Sequence, residues 1–125
     1  MTQPVQLIST LETYLKLATT REQAISANMA NVDTPGYHTK DINFENELNR
    51  AVNRVSVVST DGSSGAELLP AVQEVRGLME RPDGNNVSLD REGLLLSETQ
   101  LQYQIGVQLI KHQFHQILSA IGGGS

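Results

Sequence analysis

Ser26-Ala27-Asn28-Met29-Ala30-Asn31-Val32-Asp33-Thr34-Pro35-Gly36-Tyr37 is the stretch on which the reading of this chain turns. Its first half continues a helical pattern from the N-terminus, and its second half ends that pattern. Pro35 has no N–H and pushes Thr34 out of the right-handed helical region, while Gly36 tolerates positive φ. Asp33 and Thr34 can fold their side chains back on the local backbone, which favours a turn. Asn28 and Asn31 lie three apart on one face of the last helical turn, beside Ala27 and Ala30. An asparagine amide competes for backbone groups in a helix. Two of them next to alanines point either to a tight polar contact with another segment or to plain capping of a helix C-terminus.

Working back from Val32 to about Gln3, apolar residues fall at Leu7, Leu11, Tyr14, Ala18, Ile25 and Val32, with Arg21 and Asn28 in the remaining places of a 4-3 series. That is a heptad-like seam on a helix about 43 Å long at about 1.5 Å per residue. Ile8, Leu15 and Met29 broaden the face. Past Ala18 small and polar residues take over, so this half is expected to pack closely against several neighbours.

A second long helix is expected over residues 88–121, capped by Ser88 or Asp90, with Asp90 and Glu92 in the first turn where the dipole favours acids. Leu96, Tyr103, Val107, Ile110, Phe114, Ile117 and Ile121 form its seam, Gln100 being the one polar member. Leu94, Leu101, Ile105 and Leu109 make a second apolar face, and two faces imply two neighbours. Gly106 costs a helix about 1 kcal/mol against alanine, a cost that close approach of another backbone can explain.

Between the helices the pattern is mixed. Ile42, Phe44 and Leu48 are expected to anchor an extended arm with little buried core, and a short helix is expected over about 44–52. Residues 55–60 read as a strand, with Glu74-Val75-Arg76 pairing back on it, and turns fall at 61–65 and 81–86. The fold expected is mainly α. Helices 3–32 and 88–121 form an antiparallel two-helix coiled coil, residues 33–87 supply a small irregular or β middle, and 1–125 is a single unit.

The chain has 125 residues, a net charge of -5, no cysteine and no tryptophan, and aromatics make up 4%. Its nine basic residues are scattered, which argues against nucleic acid as a partner. No run of about 18 apolar residues exists, so direct membrane insertion is not expected. The N-terminus carries no basic region followed by an apolar one, so the chain either stays in the cytoplasm or leaves by a route that reads no cleaved signal. The thin aromatic supply suits an elongated, partner-dependent protein better than a compact enzyme.

No chemistry-bearing constellation is expected to work as one. His112 and His115 have a metal-compatible spacing, but no third ligand lies near them in sequence, and a helix C-terminus suits surface histidines. Residues 83–90 superficially resemble a calcium loop; Val87 takes its fifth place, Ser88 replaces the glycine of the sixth, and Leu94 replaces the glutamate of the twelfth. Glu45 with Glu47 and Glu12 with Glu22 read as solvated faces. Neither a phosphate-cradling glycine loop nor a nucleophile elbow is present. No catalytic, cofactor-binding or metal residue is expected.

Residues 27–37 resemble the Ala-Asn-x-x-Asn-x-x-Thr-Pro-Gly-Tyr signature of the bacterial flagellar basal-body rod and hook proteins. Gly84-Asn85-Asn86-Val87-Ser88-Leu89-Asp90-Arg91-Glu92 and Gln100-Leu101-Gln102-Tyr103-Gln104 resemble the proximal-rod branch, although Gln102 stands where relatives often carry a basic residue. The resemblance implies a non-enzymatic structural subunit of the proximal rod, without a cofactor, which self-assembles and co-assembles with other rod proteins through terminal coiled-coil helices. It implies export by the flagellar type III apparatus and residence in the periplasmic rod of the basal body. It also implies contact with the inner-membrane ring, the rod–ring adaptor and the export gate. Ala27, Asn28, Ala30, Asn31, Thr34, Pro35, Gly36 and Tyr37 would then be an assembly motif, placed where the first helix hands over to a subunit-contacting arm. Rival readings are the C-type proximal rod subunit and a cytoplasmic helical adaptor or export chaperone.

Overall fold

The computed structural model describes residues 4–61 and 69–122. In chain order these form α1 (Pro4–Ala30), β1 (Lys40–Ile42), α2 (Phe44–Asp61), β2 (Val72–Glu74) and α3 (Leu89–Ile121). The architecture is mainly helical. α1 stops where Pro35 and Gly36 demand it: the Asn31 N–H is shared between the carbonyls of Ala27 and Asn28 at 3.1 and 3.2 Å, Val32 N donates to Met29 O, and Gly36 reaches φ 76°. Such tightening from i−4 to i−3 bonds is how a helix runs out into a turn. α3 begins at Ser88, whose hydroxyl accepts from Arg91 N at 3.3 Å, so Ser88 takes the cap and Asp90 the first turn.

α1 and α3 pack antiparallel, since Asn28 meets Glu92 at one end of the contact and Tyr14 and Leu15 meet Gly106 further along. On α1, Leu11, Ala18, Ile25 and Asn28 are buried, with Leu7 and Tyr14 half-buried. α1 also packs against β1 and α2, and it carries buried residues outside the seam, Leu17 and Ala24.

On α3 the buried residues are Glu92, Thr99 and Gly106, one every seven positions, so the line of closest approach runs beside the expected seam. Leu96, Val107, Ile110 and Ile117 are half-buried on its flank, whereas Tyr103 and Phe114 remain 41% and 51% exposed. The reason is steric: small side chains at Thr99 and Gly106 let α1 come in close, and bulky residues must straddle the contact. A Cβ on Gly106 would lie 2.7 Å from Leu15 Cδ2 and 3.0 Å from Tyr14 Cδ1. Gly106→Leu should therefore cost about 1–3 kcal/mol by overpacking, while Gly106→Ala, where about 1 kcal/mol of helix propensity offsets a smaller clash, should change little. Denaturant titration of the two variants checks this.

The middle third departs from expectation. In place of a helix to about Val52 followed by a strand at 55–60, a single helix runs to Asp61. Asn43 caps it, its Oδ1 accepting from Asn46 N at 3.1 Å, and Glu45 and Glu47 sit in the first turn. Once a helix is nucleated, each further residue adds a hydrogen bond, and valine costs only a fraction of a kcal/mol against alanine; a new strand would have to find a partner. The strand pairing is also different. β2 is Val72–Glu74 and lies antiparallel to β1, with Lys40 opposite Glu74 and Ile42 opposite Val72. Residues 37–49 were expected to bury little, yet Thr39 and Ile42 are buried. Phe44 meets Tyr14 edge-on, ring centroids 5.3 Å apart. The turn expected at 81–86 is present, with Gly84 at φ 84°; that at 61–65 lies outside the described residues beyond Asp61.

Candidate assembly site

The end of α1 is held by side-chain amides. Asn28 is 1% exposed, and its amide makes four bonds to three other segments. Nδ2 donates to Lys40 O at 2.8 Å and to Glu92 Oε2 at 3.1 Å; Oδ1 accepts from Lys40 N and from the Tyr37 hydroxyl, both at 3.0 Å. Two donor and two acceptor positions are all that an asparagine side chain offers, so this one is fully used. Glu92, completely buried, receives a second bond from Arg91 Nη1 at 3.0 Å, so the carboxylate is paired within the chain. Nearby, Arg21 reaches Asp41 at 3.1 Å and ties mid-α1 to β1.

A second asparagine closes the turn. Asn85 is also completely buried; its Nδ2 donates to the carbonyls of Asn31 and Thr34, both at 2.9 Å, and its Oδ1 accepts from Val87 N at 2.8 Å. Asn86 Oδ1 accepts from Thr39 N at 2.6 Å, and the Thr39 hydroxyl donates back to Asn86 O at 3.2 Å. Gly36 N donates to Asp83 O at 2.9 Å, and Arg81 Nη2 to Val32 O at 2.6 Å. Gly84 passes so close to Gly36 that a Cβ on it would lie 3.3 Å from the Gly36 Cα. Residues 28–41 and 81–92, far apart in sequence, thus form one polar knot at the end of the helix pair.

Asn31 plays a local part: Nδ2 returns to Ala27 O at 2.8 Å and Oδ1 accepts from the Thr34 hydroxyl at 3.0 Å, so it caps. The open alternatives for the two asparagines are therefore divided between them, Asn28 making the contact with other segments and Asn31 the cap. Asn28 spends its amide inside its own chain. Ala27, Ala30, Thr34, Pro35 and Gly36 face solvent, with Tyr37 half-buried. Periodicity and turn chemistry did not single out Thr39, Arg81, Asn85 and Asn86, because Asn-Asn after a glycine reads simply as a turn; the resemblance over residues 84–92 was the signal that touched Asn85 and Asn86. Glu92 likewise read as a first-turn acid, and nothing local announced its burial.

The knot carries a pH signature. Burial pushes the Tyr37 phenol above its ordinary value, and the neighbouring Glu92 carboxylate pushes in the same direction. A folded pKa above the unfolded one means that its stabilisation is complete below about pH 10 and is lost as pH climbs through the folded value. Tyr37→Phe should remove part of the alkaline loss of stability; burial of Tyr14 raises that phenol too and leaves the remainder. Unfolding midpoints measured across pH 8–12 check it. At the turn, the Asn85 N–H holds the Asp83 carboxyl below its usual range, with Arg81 contributing.

Among the described residues, no three of His, Cys, Asp and Glu converge where a metal could sit, and no helix is long and apolar enough to cross a membrane. No family model matches the chain. Three curated relatives span most of it, each bearing the name flagellar basal body rod protein FlgB. The protein of Salmonella typhimurium is 32% identical and that of Escherichia coli 30%, each alignment covering 89% of both chains; that of Bacillus subtilis is 29% identical, covering 94% of both. With a polar knot built from the same stretches that resemble rod proteins, and with near full-length similarity above, the chain belongs to the FlgB family of flagellar basal body rod proteins.

Proposed function

We propose that this chain is a structural subunit of the proximal part of the flagellar rod, acting as one unit across residues 1–125. α1 and α3 form its coiled coil, and the residues between them form an arm toward neighbouring subunits. Family membership points to a structural rather than a catalytic role. On this reading it leaves the cytoplasm through the flagellar type III apparatus and joins copies of itself and other rod proteins in the periplasmic part of the basal body. There it meets the inner-membrane ring, the rod–ring adaptor and the export gate. The observation that carries the proposal is the joining of both rod-like stretches at Asn28 and Glu92, which leaves Ala27, Ala30, Thr34, Pro35 and Gly36 at the surface.

The test is location together with assembly. Basal bodies isolated from cells lacking the gene should have no rod, and an epitope-tagged chain should restore both rods and motility and co-purify with them. Intact rods in the deletion strain, with the tagged chain stable in the cytoplasm, would contradict the proposal and favour an adaptor.

A further inference from the structure

The turn that closes the knot contains Asp83–Gly84, one of two Asp-Gly pairs in the sequence, the other being Asp61–Gly62. A glycine has no Cβ to shield its backbone nitrogen or restrict its rotation, so this dipeptide is prone to attack on itself. In that reaction the Gly84 nitrogen bonds to Asp83 Cγ, and the carboxyl hydroxyl leaves with the amide hydrogen as water. Water then reopens the five-membered succinimide. Where it enters at the original backbone carbonyl, the chain runs on through Cγ as an isoaspartyl link, with no net gain or loss of atoms or electrons.

The groups this step uses are all engaged in the folded chain. Gly84 N donates to Arg81 O at 2.9 Å, and Asp83 O accepts from Gly36 N at 2.9 Å. Asp83 Oδ1 accepts from Asn85 N at 3.0 Å and from Arg81 Nε at 3.5 Å, and Oδ2 accepts from Arg81 Nη2 at 3.3 Å. These bonds favour the ionised carboxylate and hold it below its usual range, and a carboxylate has no hydroxyl to lose. The Asp83 side chain is 39% exposed, so it is bonding and not burial that restrains it.

We propose that Asp83–Gly84 is a self-modification site gated by the knot: inert while the knot is closed, converted to isoaspartate when it opens, and unable to close again once converted. The isoaspartyl link puts an extra methylene into the main chain and turns the old backbone carboxyl into a side group. The Gly36 N–H then loses the carbonyl it meets, and Gly84 loses its close fit against Gly36. Opening is thereby recorded in a covalent change. The site belongs to the chain whatever it assembles with, so its test is independent of rods.

Ageing the purified full chain at neutral pH, in buffer and in concentrated urea, tests it, with isoaspartate located by peptide mapping. In urea both Asp-Gly pairs should convert at similar rates. In buffer Asp83–Gly84 should convert at least about tenfold more slowly than in urea, because reaction through a transiently open state tracks the small open population. Asn85→Leu, which frees the turn from the end of α1, should recover much of the urea rate. Arg81→Gln alters an exposed side chain and removes its bonds to Asp83 and Val32, so it should give an intermediate rate with helical circular dichroism unchanged. Chain aged in urea and then refolded should be cut by a broad-specificity protease within residues 32–38 and 81–87 in its isoaspartyl fraction alone. Equal rates in buffer and urea, no conversion of Asp83 in urea, or wild-type rates in both variants would each overturn the gate. An isoaspartyl fraction whose turns resist the protease would overturn the failure to close.

Discussion

Leucine in place of Asn28 is expected to destabilise the folded chain by about 3–5 kcal/mol, the largest effect of any single substitution considered. Leucine fills much the same space but makes no hydrogen bond. Lys40 N and Lys40 O then lose the side chain that bonds both, the Tyr37 hydroxyl loses its acceptor, and the buried Glu92 carboxylate keeps only Arg91. Each buried polar group left without a partner costs about 1–3 kcal/mol, and stripping one partner from a buried charge costs the most. Glu92→Gln is the contrast: it removes the buried charge and still accepts from Asn28, but its amide nitrogen then faces the Arg91 donor, so it should cost about 1–3 kcal/mol, less than Asn28→Leu. Chemical denaturation of both variants, with the double variant closing the cycle, reports how much the Glu92 charge adds to the bond it accepts from Asn28.

Asn85→Leu should cost about 2–3 kcal/mol for a different reason. Val87 N is buried and has the Asn85 side chain as its acceptor, and the carbonyls of Asn31 and Thr34 lose the donor that ties the end of α1 to the turn before α3. The loss should be local first. Cleavage by a protease of broad specificity should appear within residues 32–38 and 81–87 while α1 and α3 still resist. Uniform cleavage along the chain, or none beyond wild type, would argue that the knot does not hold these turns.

Much of this fold is legible in the residues. The two long helices are written in 4-3 spacing, the stop of the first in Pro35 and Gly36, the start of the last in Ser88, and a close helix contact in Gly106. What was not legible has physical causes. Helix or strand for residues 55–60 rests on whether Asn43 nucleates a helix upstream, which side-chain preferences at Val55, Val57 and Val58 do not report. The α3 contact line was misplaced because apolar residues were weighted over small ones, although Thr99 and Gly106 are what allow approach. The knot stayed hidden because its partners are distant: Asn28 shows polarity in a helix end and Asn85 shows a turn, and neither names the other. Glu92 is the sharpest case, a residue typical of an exposed first turn that is completely buried because Asn28 and Arg91 bond it there.

The central claim is that the Asn28 and Asn85 amides fasten two distant stretches into one cooperative unit with the α1–α3 pair. Amide hydrogen exchange at Thr39, Lys40 and Val87 tests it most directly, since their N–H groups donate to the side chains of Asn86, Asn28 and Asn85. In the folded chain these three amides should exchange as slowly as those in the middle of α1 and α3, and all should speed up together in Asn28→Leu. Fast exchange at the three sites beside protected helices would contradict the claim, because the knot would then open independently of the helices it is said to join.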